Sequence, residues 1–126
     1  MRLALVAAAG VFVATLADDA LAPSRLSHAR SPVALAGAGA LAVALLALVP
    51  RARSMGMSLG AGVAAGGAAA TFVTGIAWQD GVPNPLVRGG IAFNLADLAI
   101  ASGDALLIGA ALFHAWRQRE RLYEPV

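Results

Sequence analysis

Four long apolar stretches, separated by short polar or proline-bearing breaks, run through this chain at about 3–22, 32–49, 55–78 and 90–116. Each is close to the roughly 20 residues that a helix needs to cross a bilayer. All six prolines lie at or beyond the edges of these stretches, where a helix tolerates them. The first stretch reaches full length only if Asp18 and Asp19 sit at the membrane interface. The pattern predicts an all-α integral membrane protein with four transmembrane helices. In the third stretch, Gly56, Gly60, Gly62 and Gly66 recur at four-residue spacing in two pairs. Small residues so placed let helices approach closely, so this stretch is expected to serve packing.

Polar residues break the pattern in the fourth stretch, which contains Asn94, Asp97 and Asp104. At helical pitch the three fall on one side, with Ile91, Leu95 and Leu98 on the other. A carboxylate at membrane depth costs about 2.5 to 3.5 kcal/mol on insertion scales, so it normally faces a partner or a water-filled cavity. Asp97 is therefore the first functional suspect. The plain alternative is a hydrogen bond to a neighbouring helix.

Composition strengthens the membrane reading. The 126 residues are 60% hydrophobic and 13% charged, about half the charge of a soluble domain. One domain, 1–126, is expected. There is no cysteine, which excludes disulfides, thiolate metal sites and cysteine nucleophiles. His28 and His114 have no ligand spacing, so neither a metal nor a cofactor is called for. The basic residues are nine arginines that flank the apolar stretches rather than line one face, which argues against nucleic acid as a partner. With four spans, six arginines share a side with the termini (2, 51, 53, 117, 119, 121) and three lie opposite (25, 30, 88). That bias places both termini in the cytoplasm. A competing reading is that Arg2, the first apolar run and Ala20-Leu21-Ala22 form a cleavable signal peptide.

Phe93-Asn94-Leu95-Ala96-Asp97, with Ile100 behind it, resembles the last motif of the lipoprotein signal peptidases (signal peptidase II). Those are four-span aspartic endopeptidases of the bacterial plasma membrane that act on lipid-modified prolipoproteins. The resemblance implies a catalytic role for Asp97, with Asn94 shaping the site. It also implies the same topology, membrane lipid as surroundings, and either a prolipoprotein or another membrane protein as partner. The family's first-span Asp falls at Ala17-Asp18-Asp19-Ala20, which brings in Asp18. The second catalytic Asp belongs in the loop 79–86, where two assignments stay open. By separation it is Asp80, seventeen positions before Asp97; by local pattern Val82-Pro83-Asn84 fits better and puts Asn84 in its place. Asp80 also reads simply as a turn residue in Asp-Gly. Other parts of the chain depart from the family. Gly66-Gly67-Ala68 opens a family motif, but Thr71, Thr74 and Gly75 then replace its Asn, Asp and Arg. The segment between Pro23 and Pro32 lacks the family's extracellular motif and is expected to be too short to form the sheet that carries it.

Aspartic peptidase chemistry needs two carboxylates that share a proton. Three functions follow: an active signal-peptidase-II-like enzyme using Asp97 and Asp80, a degenerate member acting as a membrane binding or assembly partner, and a small proton-coupled exporter. The exporter would want an acid near the middle of the first span with aromatics around it. Asp18 and Asp19 lie at its end and aromatics are only 6%, which ranks it last.

Overall fold

The computed structural model describes residues 1–22, 27–49 and 54–119. Four helices dominate it: α1 (Arg2–Leu21), α2 (Pro32–Leu48), α3 (Met55–Ala77) and α4 (Leu95–Gln118). Helices α1, α3 and α4 are long and apolar enough to cross a membrane, while α2, with 17 residues, is shorter. Ser31 and Ser54 cap α2 and α3 by accepting from the backbone N–H groups of Ala34 and Met57.

Helix α3 is the centre of the bundle. Most of it is buried, whereas α1 and α4 turn most of their surface outward. Its glycines explain why. A Cβ on Gly60 would lie 2.7 Å from the Gly103 carbonyl oxygen of α4, and one on Gly67 2.7 Å from that of Ala96. On the other side, a Cβ on Gly66 would lie 2.6 Å from the Ala8 carbonyl oxygen, and Gly62 abuts Ala4 just as closely. Backbone thus meets backbone on two faces of one helix, the arrangement that small residues permit in place of bulky side chains. The core around Ala61, Ala64, Ala65 and Ala68 reaches Ala42 and Leu45 of α2.

These contacts also set direction. Ala4 lies by Gly62, Ala8 by Gly66 and Asp19 bonds to Thr74, so α1 and α3 run parallel. Gly56 lies by Ala110, Gly60 by Gly103 and Gly67 by Ala96, so α4 runs antiparallel to α3. The start of α1 and the end of α4 are therefore at one end of the bundle.

The other end carries four short strands, which the helical pattern did not predict. β1 (Ser27–His28) pairs antiparallel with β2 (Val82–Pro83), and β3 (Leu86–Arg88) pairs antiparallel with β4 (Ile91–Phe93). From the segment after Pro23, only Ser27 and His28 pair with a strand, in a two-residue ladder with β2. The fourth apolar stretch also begins later as a helix than its hydropathy indicates. Gly89 and Gly90 have φ of 60° and 81°, the left-handed turn that closes the β3–β4 hairpin, so residues 91–93 are strand and the helix starts only after Asn94.

Candidate functional site

The polar residues gather at the strand-bearing end, and Asn94 is the joint between its parts. Its side-chain oxygen accepts from the Asp97 backbone N–H at 2.9 Å, and the Asp97 carboxylate accepts from the Asn94 backbone N–H at 3.2 Å. This reciprocal capping box fixes the start of α4. The Asn94 amide donates to the Pro83 carbonyl oxygen at 2.9 Å, which ties the cap to β2. Asn94 is fully buried. It therefore stands before the helix as its cap, not on its flank beside Asp97 as the spacing predicts.

Asp97 faces outward from this joint. Arg30, just ahead of α2, approaches both its carboxylate oxygens at 3.3 Å, and each of the two side chains is about a third exposed. A groove of about 400 Å³ lies beside it, lined by Arg88, Ile91, Phe93, Asp97, Leu98 and Ala101.

Asn84 follows Pro83 and is buried beside this joint. Its amide donates to the Val82 carbonyl oxygen at 3.3 Å and sits 3.4 Å from His28 Nδ1. Its own carbonyl oxygen has no partner among the described residues. Asp80, by contrast, is exposed in the turn that Gly81 N–H closes onto the Trp78 carbonyl. Of the two segments, the one around Pro83 meets the Asn94 cap, and Asp80 lies in the exposed turn before it.

At the end of α1 it is Asp19, not Asp18, that turns inward. Asp19 is only 1% exposed and accepts a 2.7 Å hydrogen bond from the Thr74 hydroxyl of α3. Asp18 is half-buried beside it. One Asp19 oxygen and the Thr71 hydroxyl, both buried, have no partner among the described residues. Asp19, Thr74 and Arg30 were not singled out as site residues by the sequence reading. The signals available were the Asp-Asp pair and the two threonines that replace polar positions of the family motif.

No family model matches the chain, and neither a curated protein nor a solved structure is significantly similar to it. No group of three or more His, Asp or Glu side chains able to hold a metal ion occurs among the described residues. The site offers one carboxylate bound to a guanidinium and a helix cap, one carboxylate bound to a hydroxyl, and two buried amides. Such a set is well supplied for hydrogen-bond recognition.

Proposed function

We propose that this chain is a non-hydrolytic, signal-peptidase-II-like protein of the bacterial plasma membrane, a four-span binding or assembly partner with cytoplasmic termini. The observation that carries this reading is the place of Asn84. It occupies the segment that packs on the Asn94 cap, where the local-pattern alignment with the family puts the second catalytic carboxylate. An amide cannot accept the proton of an attacking water, so a dyad of Asp97 with Asn84 lacks its base. Asp97 itself is engaged by Arg30 and by the capping N–H. What remains is a polar end with an adjoining apolar groove, suited to holding a lipid-modified or membrane-embedded segment without cutting it.

One observation favours a second reading. Asp19 is buried at the same end of the bundle as Asp97 and has an unpartnered oxygen among the described residues. An active peptidase would then use Asp97 with Asp19 rather than with Asp80. The experiment is cleavage of a lipid-modified prolipoprotein peptide by the purified protein in detergent. The expected result is no cleavage by wild type. Cleavage abolished by both Asp97→Asn and Asp19→Asn but retained in Asp80→Asn would replace the binding role with the second reading.

A further inference from the structure

We propose that the outward face of α4 around Asp104 docks a transmembrane helix of another protein that carries an arginine or lysine near mid-membrane depth. The inference rests on the reading of the chain as a partner protein and names what it recognises. Asp104 is the tenth of the 24 residues of α4. It therefore lies about 14 Å along the axis from the helix start, near the middle of a hydrocarbon layer of about 30 Å. It is half-exposed, and no hydrogen bond or ion pair engages it among the described residues. The adjacent Gly103 takes the contact with α3, which leaves Asp104 at the edge of the outward face.

A carboxylate at that depth needs a partner, and its short side chain cannot reach the interface as a lysine or arginine can. The described residues supply none. Arg30 is held by Asp97, and Arg117 is more than three helical turns away along α4. Lipid supplies none either, because headgroup charges lie at the bilayer surface and not among the acyl chains. A second copy fails for the same reason: the arginines lie at the ends of the apolar stretches or between them, so no copy brings a cation to this level. The occupant left is a foreign helix with its own basic residue. Exposed Ala101 and Ala105, one turn above Asp104 and directly after it, allow that helix to approach closely.

The test uses the full chain, donor-labelled, in phosphatidylcholine vesicles with acceptor-labelled leucine–alanine transmembrane peptides. One peptide carries a central arginine and the other a central leucine. Energy transfer should report about tenfold tighter binding of the arginine peptide, the usual scale for a polar contact between membrane helices. Asp104→Asn should erase that preference and Asp104→Glu should keep it, while Ala101→Trp should weaken binding of both peptides. Equal binding of the two peptides by wild type would overturn the proposal, as would a preference that survives Asp104→Asn. Self-association of the protein that depends on Asp104 would overturn it in favour of a homo-oligomer. Because Asp104 has no partner among the described residues, Asp104→Asn should leave thermal unfolding unchanged, and a clear drop would make its role structural instead. Prolipoprotein cleavage is a separate readout, so failure of the non-hydrolytic reading is distinguishable from failure of this one.

Discussion

Asn94 and Arg30 both touch Asp97, yet physical chemistry ranks them far apart. Asn94 is fully buried, caps α4 and bonds to Pro83, so Asn94→Ala removes a cap and leaves the Pro83 carbonyl without its donor. Lost caps and unsatisfied buried groups each cost about 1 to 2 kcal/mol. The Arg30–Asp97 pair is a third exposed on each side, where ion pairs are worth about 0 to 1 kcal/mol and are screened by salt. Thermal unfolding in detergent should therefore show a large drop for Asn94→Ala and a small, salt-sensitive one for Arg30→Gln. The reverse order would mean that the ion pair, not the cap, holds this end together. Asp19 and Thr74 provide a second residue-scale test. Thr74→Val removes the donor from a buried carboxylate and should cost about 1 to 3 kcal/mol or more, while Asp19→Asn keeps an acceptor for the hydroxyl and should cost less. Equal losses would deny that the hydroxyl matters. That Asp97 and Asn94 belong together was legible, since polar residues at adjacent helical positions stand out in an apolar stretch. Which of Asp18 and Asp19 turns inward was not. The buried stripe Ala4, Ala8 and Thr15 extends with equal ease to either, and only the position of Thr74 on α3 decides.

At the scale of elements, the helices follow the hydropathy pattern and the strands do not. Apolar content bounded by prolines predicts helices over 32–49 and 55–78, which agree with α2 and α3 to within one residue at either end. Strands of two or three residues are too short to show an alternating pattern, and β2 includes a proline. They exist because helix ends bring the loops side by side. The glycine spacing was informative in another way, since it marked the faces of α3 before their partners were known. Those faces differ from glycines elsewhere in the chain. A side chain at Gly60 would run into the backbone of Leu107 and Gly103, whereas one at Gly109 would meet nothing within 4 Å. Gly60→Leu should therefore destabilise the bundle by at least the roughly 1 to 3 kcal/mol typical of overpacking. Gly109→Leu should leave the melting profile in detergent unchanged. Equal profiles for the two variants would show that α3 and α4 are not in backbone contact there.

For the whole molecule, the direction of the helices bears on how it crosses the membrane. Because α1 and α3 run parallel, α2 has to return the chain along the bundle between them. Its 17 residues give about 25 Å of helix, slightly less than the hydrocarbon thickness of about 30 Å. A short span is accommodated by local thinning of the bilayer or by its flanking residues, at a modest energetic cost. The proposed four-span arrangement therefore has α2 as its short crossing between α1 and α3. In the proposed topology, Ser54 and the start of α1 are cytoplasmic and Asp80 lies outside with the strands. The chain has no cysteine, so Ser54→Cys and Asp80→Cys can each be introduced as a single thiol. In intact cells a membrane-impermeant maleimide should label the exposed Asp80→Cys site and not Ser54→Cys, while both should react after permeabilisation. Labelling of both from outside would place the two ends of α3 on the same face of the membrane. That result would remove α3 as a span and, with it, the four-span arrangement.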